Sequence, residues 1–590
     1  MTDSVANDRP SPQTFGSKVD APVTFSLGCP RLMASPARAP HDDDFDYDWL
    51  VVGSGFGGSV AAHRLTEKGY RVAVLESGKR FADDDFPRST WDLSRYFFAP
   101  RIGLHGIFRL SLFKDVTIVS GAGVGGGSLG YANTLYRARP RFYADRQWAG
   151  LEADWQAALA PHFDEAERML GVTTVITDDP ADDLLREFGR HIGADRSYAK
   201  TRVGVFLGAP GETVADPFFG GAGPARTGCI GCGRCMVGCP IGAKNTLVKN
   251  YLWLAEHAGC RVMAEREVVD VRPLGTGRGS DGYAVTTERT GAWLRKDRRT
   301  LKARNVVLAA GPLGTNKLLQ RCRHNGSLPN VSHRLGELVR TNSEAILAVT
   351  APDDSVDYTK RVAISGSIYP DENTHIETVS YGHAGDSMSL LHTLLIGDGT
   401  KLTRPLKFLV AMLRHPVRFA KLQNPRAWSR RTIILLVMQT LDNAIALRPR
   451  PGRGGRMSLQ TEQDPDKPNP TFIPVANEAA EWMAKRIGGM PQSSVLEAVA
   501  GIPTTAHILG GAVIARSREE GVVDARHRVF GYENLLVCDG SVIPANVGVN
   551  PSLTITALAE RAMSFVPPAA PPVRAAAAAG DDEAQPVLIR

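Results

Sequence analysis

The feature that most restricts the fold is a strand that runs straight into a glycine loop. Phe45-Asp-Tyr-Asp-Trp-Leu-Val-Val52 supplies a short apolar run and leads into Gly53-Ser54-Gly55-Phe56-Gly57-Gly58. Ser59 to Gly69 then carries Val60, Ala61 and Leu65 at helical spacing before a glycine stop. Tyr70 to Glu76 forms a second apolar strand that ends in an acid. Together these make a βαβ unit of Rossmann type. In such a unit Gly53 permits the tight turn, Gly55 lets backbone approach a pyrophosphate, and Gly58 lets helix pack on strand. Glu76 falls where a ribose hydroxyl needs an acceptor, and the helix N-terminus favours phosphate charge. The unit predicts a dinucleotide site on a parallel sheet.

Composition sets the limits around that unit. The chain has 590 residues, 43% hydrophobic and 22% charged, enough for more than one core. Its formal charge is +7, yet Lys and Arg are scattered, which argues against nucleic acid as a partner. Residues 1–44 are rich in Pro, Asp, Ala and Ser and lack a basic start followed by an apolar core, so they read as a disordered leader without a secretory signal. The longest apolar run, Thr432 to Met438, is far short of a membrane span. A cytoplasmic chain, at most peripheral to a membrane, is expected. Residues 567–590 read as a low-complexity, disordered tail.

NAD and FAD share the first fingerprint, and the stretch from Gly121 to Asn133 separates them. Six of its thirteen residues are glycine, and it includes Gly126, Gly127 and Ser128. Backbone laid flush against a flat ring system needs missing side chains. At this point the chain resembles the glucose-methanol-choline oxidoreductases. The resemblance extends through Val268 in an apolar strand, through Gly311 in a strand-to-helix turn, and through Leu535 to Arg561 with Asp539-Gly540 and Asn550-Pro551. It implies an FAD-binding domain held non-covalently, since no His or Cys lies between Gly121 and Asn133 to form a flavin link. By the same resemblance Gly53, Gly55, Gly58, Glu76, Gly121, Gly126, Gly127, Ser128, Asn133, Val268, Gly311, Asp539, Gly540 and Asn550 contact the cofactor.

The catalytic pair implied by the family pattern is His507 and Asn550, and the Asn-Pro form resembles its sterol-oxidising members. Oxidising a secondary alcohol removes a hydride from carbon and a proton from oxygen. A neutral imidazole near pH 7 can take that proton, and an amide can hold the oxygen. Glu377, on a strand-like stretch from Asn373 to Tyr381, is expected either as the carboxylate that moves a ring double bond or as a solvated strand residue. The acceptor is expected to be oxygen or another electron acceptor. Two alternatives stand beside this reading: a dehydrogenase of another alcohol or sugar that passes electrons through a cysteine-bound iron-sulfur cluster to a quinone or protein acceptor, and a non-catalytic, flavin-bound interaction protein.

Four of the eight cysteines, Cys229, Cys232, Cys235 and Cys239, have the C-x2-C-x2-C-x3-C-P spacing of bacterial ferredoxins, with Gly231, Gly233 and Gly238 between them. An iron-sulfur cluster, zinc, or plain structural thiols all remain open. Cys29, Cys260, Cys322 and Cys538 read as buried small residues.

The expected architecture is therefore α/β plus α+β: a discontinuous Rossmann-like FAD-binding domain over 45–136, 225–344 and 503–566. A substrate-binding cap over 137–224 and 345–502 is built on an antiparallel sheet with helices. Within the cap, Trp148 to Leu170 and Trp482 to Ile487 read as helices, and Arg361 to Ser367 as a strand. Lys401 to Ile434 reads as a basic amphipathic segment, either an ordinary cap helix or a membrane-surface one.

Overall fold

The computed structural model describes residues 44–452 and 457–570. The expected leader and tail lie outside the described residues, apart from Asp44 and residues 567–570.

The apolar run at the start becomes β1 (Tyr47–Val52), the glycine loop opens α1 (Phe56–Glu67), and the acid-tipped run gives β2 (Val72–Leu75). β1 and β2 pair in parallel, with Trp49 opposite Val72 and Val52 opposite Leu75. Leu50, Val51, Ala73 and Val74 are wholly buried, as a parallel sheet covered on both faces requires. Each such aliphatic side chain contributes about 1.5–3 kcal/mol of burial energy.

The other strands of this seven-stranded sheet come from far along the chain. They are β3 (Arg261–Met263), β4 (Arg266–Pro273), β5 (Tyr283–Arg289), β6 (Arg299–Leu308) and β7 (Leu535–Val537). The spatial order is β3-β2-β1-β6-β5-β4, with β7 also on β6. The ten-residue β6 has two functions. Its first half pairs antiparallel with β5, and its second half runs parallel between β1 and β7. α2 (Gly311–His324) leaves the end of β6, and α3 (Ser552–Ser564) packs on α1.

A second seven-stranded sheet is antiparallel throughout. Its order is His392–Leu394, Met490–Ser494, Ala345–Thr350, Thr432–Gln439, Thr374–Val379, Ile364–Ile368 and Ala199–Lys200. The apolar run Thr432 to Met438 is thus a central strand. Helices Pro180–His191 and Pro474–Ile487 cover one face through Leu185, Phe188, Ala480 and Met483, which meet Leu347, Ile376 and Leu435. Strand alternation sends the neighbouring residues Ile346, Leu436, Ile434 and Val379 to the opposite face, where they wall a cavity.

Two expectations need adjustment. The helix read from Trp148 begins at Trp155, where the Asp154 carboxylate accepts a hydrogen bond from the Ala157 amide at 3.0 Å. The basic segment from Lys401 is not one helix: it divides into Thr403–Arg414, Pro416–Leu422 and Trp428–Arg431, and from Thr432 it is strand. The break falls at His415-Pro416, because proline lacks an amide hydrogen and forces its predecessor out of helical geometry.

A small sheet joins the two layers. Phe108–Leu112 pairs antiparallel with Thr117–Gly121, and Thr504–Thr505 pairs parallel with Thr117 and Ile118. It delivers the second glycine loop and His507 to the same place.

Candidate active site

The site begins where α1 meets the ends of three strands. Gly53 has φ +101°, and a Cβ there would lie 2.3 Å from the Ala309 carbonyl oxygen just past β6. A Cβ on Gly57 would lie 1.6 Å from the Cys538 carbonyl oxygen just past β7. No side chain fits at either position, so the helix N-terminus stands directly on the backbone of both strands. Gly58 would strike the Gly53 carbonyl at 2.1 Å, which makes it the helix-to-turn contact. A Cβ on Gly55, by contrast, would meet no protein atom within 4 Å. The second glycine loop lies on the first: a Cβ on Gly126 would come within 2.7 Å of the Gly55 Cα.

Glu76 is buried at the tip of β2. Its carboxylate accepts from the Ser54 amide (3.1 Å), the Ser54 hydroxyl (2.7 Å) and the Gly78 amide (2.8 Å). Asp539 ties the end of β7 to the start of α2, accepting from the Gly311 amide (2.9 Å) and the Thr315 hydroxyl (2.6 Å) on one oxygen and from the Ser541 amide (2.8 Å) on the other. Burial raises Asp539 above the usual carboxylate range against these hydrogen bonds. Gly53, Gly55, Glu76, Gly121, Gly126, Gly127, Val268, Gly311, Asp539 and Gly540 all line one cavity of about 530 Å³. A glycine-floored trough with an acid at one end and α1 at its side fits a dinucleotide.

The far end of that cavity is apolar on its walls and polar at its tip. Ile346, Ile364, Val379, Ile434, Leu436 and Met236 form the walls; His507, Asn550 and Glu344 form the tip. His507 Nδ1 pairs with a Glu344 carboxylate oxygen, and the other oxygen accepts from the Ala506 amide at 3.0 Å. Burial works against an imidazolium here, but the charge and hydrogen bond of Glu344, with Glu377 beyond it, outweigh burial and raise His507 above its ordinary value. Asn550 Nδ2 donates to Glu377 at 3.3 Å, while Asn550 Oδ1 is buried without a protein partner. The lining that carries His507 thus also carries an acceptor left without a protein partner.

Glu377 is wholly buried and stands behind Asn550 rather than on the cavity wall. Burial pushes its carboxyl up to about 8, against the opposing effects of His507 and Asn550. Its Oε1 has no hydrogen-bond partner, and His375 Nδ1 lies 4.0 Å away.

Sequence reasoning missed Glu344. It is delivered by Asn342 and Ser343, two successive non-glycine residues in left-handed conformation, with φ 58° and 46°. Such backbone costs on the order of 1–3 kcal/mol per residue and persists only when braced. The brace is Asn342, whose amide hydrogen bonds Asn546, whose Oδ1 accepts from Gly548 and whose Nδ2 donates to Val549. The segment bearing Glu344 is thereby pinned to the segment bearing Asn550. The only sequence signal is a polar run, Thr341 to Glu344, immediately before an apolar strand.

Two expected cofactor contacts face elsewhere. The Ser128 hydroxyl donates to the Gly125 carbonyl (2.7 Å) and accepts from the Leu247 amide (3.0 Å), which holds the loop closed. Asn133 lines a separate small hollow together with Cys229, Cys232, Cys235 and Cys239, and its side-chain amide has no protein partner. Those four thiols form no disulfide. Among the described residues, no three His, Cys, Asp or Glu side chains gather closely enough to hold a single metal ion.

Comparison with known proteins agrees with this geometry. A family model described as NAD(P)-binding Rossmann-like domain matches residues 51–83, and models described as GMC oxidoreductase match 225–336 and 451–559. A cholesterol oxidase of Mycobacterium tuberculosis is 49% identical over 534 residues, covering 88% of this chain and 91% of the relative. A cholesterol oxidase of Acinetobacter baumannii is 46% identical, covering 89% and 95%. The crystal structure of pyridoxine 4-oxidase from Mesorbium loti superposes with a TM-score of 0.55 at 15% identity, covering 88% of this chain and 99% of that one. That likeness shows the shared fold, and the sequence matches show the rest: this chain belongs to the GMC oxidoreductase family.

Proposed function

We propose that this protein oxidises a ring hydroxyl of a sterol, with FAD held non-covalently in the glycine trough and oxygen as the acceptor. The observation that carries this reading is a deep apolar cavity that closes on one imidazole and one unpartnered amide oxygen, beside the trough. A large apolar body with one hydroxyl matches that distribution. Identity of 46–49% to proteins named cholesterol oxidase supports the substrate class. FAD, when bound, supplies the two-electron acceptor for the hydride. His507 and Asn550 hold the hydroxyl oxygen, and His507 takes its proton as the carbonyl forms. Glu344 fixes the ring through Nδ1 and leaves Nε2 toward the cavity.

Anaerobic addition of cholesterol to the purified protein should bleach the flavin bands; an unchanged spectrum would remove cholesterol as substrate. His507→Ala should retain flavin while turnover falls by roughly 10²–10⁴, and wild-type turnover in that variant would remove the base assignment.

His507 must be neutral to take a proton. Because Glu344 raises it, kcat/KM should climb with pH through a limb above the ordinary imidazole range. Glu344→Gln removes the raising charge, so the limb should move to lower pH and maximal turnover should fall. A limb that stays in place would show that Glu344 does not set the protonation of His507.

Double-bond migration is proposed for Glu377, whose elevated pKa lets it both accept and return a proton near neutrality. Its place behind Asn550 requires that side chain to swing aside. Glu377→Gln should spare alcohol oxidation and yield an unmigrated ketone; a migrated product from this variant would exclude Glu377.

Peripheral membrane contact is proposed at the cavity mouth. Leu110, Leu391 and Leu496 are exposed on the cavity rim. Helix Thr403–Arg414 packs against Val495–Ala500 beside the rim and exposes Leu406, Leu409 and Leu413 alongside Lys407 and Arg414. No described helix is long and apolar enough to cross a membrane. Leu409→Glu with Leu413→Glu should reduce cosedimentation with anionic phospholipid vesicles, and undiminished sedimentation would discard this face as the contact.

A second reading, a dehydrogenase that exports electrons through the cysteine segment, is favoured by one observation: its four thiols share a hollow next to the cavity.

A further inference from the structure

We propose that His375 is the positioning residue through which Glu377 exchanges its proton with solvent. This rests on the reading of Glu377 as the group that moves the double bond.

Glu377 has a proton to dispose of and no surface through which to do so. It is wholly buried, does not line the cavity, and has Oε2 covered by the Asn550 amide at 3.3 Å. Burial raises its carboxyl to about 8, with Glu344 adding to the rise and His507 and Asn550 opposing it. Near neutral pH most of it therefore holds a proton, which it must release before it can act as a base. On the cavity side the titratable groups near it, His507 and Glu344, are paired with each other. Oε1, the oxygen without a hydrogen-bond partner, lies 4.0 Å from His375 Nδ1.

Strand geometry brings the two side chains together. Thr374–Val379 sends alternate residues to one face: Val379 onto the cavity wall, Glu377 behind Asn550, and His375 one step farther along the strand. His375 is wholly buried, and neither ring nitrogen has a protein partner. His392 and His527, also buried, differ: each bonds a backbone carbonyl through Nδ1 at 2.9 Å, as an imidazole used for packing does. The His375 ring is nonetheless held. It stacks on Tyr369 with centroids 4.3 Å apart and planes 14° apart, and meets Tyr136 edge-on at 5.3 Å. The Tyr136 hydroxyl is fixed in turn by Ser367 at 2.9 Å, directly opposite Glu377 on the neighbouring strand. A shift of about 1 Å in either side chain closes the hydrogen bond between Nδ1 and Oε1. Beyond the ring, Tyr369 and the Arg139 guanidinium stacked 4.1 Å from it are only partly buried, so the path ends at groups that touch solvent.

The ring suits proton exchange because it stays neutral. Burial, and after it the Arg139 charge, lower His375 to about 3, so the imidazole carries one proton on its two nitrogens. Tyr136 and Tyr369 are the other titratable groups around it besides Glu377. In the outward step the Glu377 O–H bond breaks as an N–H bond forms at Nδ1. The N–H bond at Nε2 breaks, and its proton passes to solvent water. The carboxylate keeps the electron pair of its O–H bond, the ring changes tautomer, and nothing is oxidised or reduced. The reverse sequence returns the proton.

The test moves the full-length, flavin-loaded protein into heavy water at neutral pH. It follows the infrared band of the protonated Glu377 carboxyl, identified as the band that Glu377→Gln removes, as deuterium shifts it. His375→Phe keeps a ring for Tyr369 and removes both nitrogens. His375→Asn keeps a hydrogen-bonding group near Oε1 but cannot take a proton on one side and release one on the other. Exchange should slow by about tenfold or more in both variants, with flavin content and Tm reporting the fold of each. Wild-type exchange in His375→Phe would reduce the residue to packing, and wild-type exchange in His375→Asn would reduce it to a hydrogen bond; either overturns the proposal. So does a wild-type protein without the carboxyl band. The reading beneath fails separately: migrated ketone from Glu377→Gln removes Glu377 from the migration, whereas unaltered exchange of the band removes only His375.

Discussion

The whole molecule depends on backbone packed against backbone at the N-terminus of α1. Gly53 and Gly57 set this helix on the carbonyls that follow β6 and β7, with no room for a side chain between them. Only close contact of this kind brings three strand ends, separated by hundreds of residues in sequence, to a common edge. Gly311, Asp539 and the segment leading to Asn550 all leave from that edge. The glycine floor of the cavity and the polar groups at its tip are therefore consequences of the same packing.

Electrostatics at the tip of the cavity follows from how deeply it lies. In a buried setting a carboxylate and an imidazole interact far more strongly than in water. Glu344 and Glu377 use that setting in opposite ways. Glu344 is paired and raises His507, whereas Glu377 has only the Asn550 amide and is itself raised to about 8. The difference lies in their partners: one carboxylate engages the imidazole, and the other carboxyl is raised by burial that a single amide hydrogen bond does not offset.

What could be read in the sequence was what obeys local rules. The βαβ unit, the glycine floor, the strand carrying Val268 and the turn at Gly311 are all contiguous motifs whose spacing reflects backbone geometry. Their side chains, or the absence of them, face the cavity. Glu344 was not legible, because its role arises from two left-handed residues braced by a segment some two hundred positions away. Asn133 and Ser128 lie in a motif whose glycines do face the cavity, yet Asn133 lines the cysteine hollow and the Ser128 hydroxyl bonds the loop itself, and no periodicity distinguishes such placements. The position of Glu377 behind Asn550 is likewise a property of the packed layers. The helix break at Pro416 was legible in principle: proline was visible, but apolar and basic residues continued across it.

The two-sided pairing of β6 bears on how the molecule comes together. Its antiparallel partner β5 is ten residues away, so that half can form early and locally, as a hairpin does. Its parallel partners are β1, some two hundred and fifty residues earlier, and β7, some two hundred and thirty later. Loop-closure entropy makes such pairings slow. As the chain emerges from synthesis, β6 waits with one edge open until β7 arrives, and an open apolar strand edge invites the wrong neighbour. The strand that completes this edge of the sheet is therefore also the strand that closes β6 against a wrong neighbour.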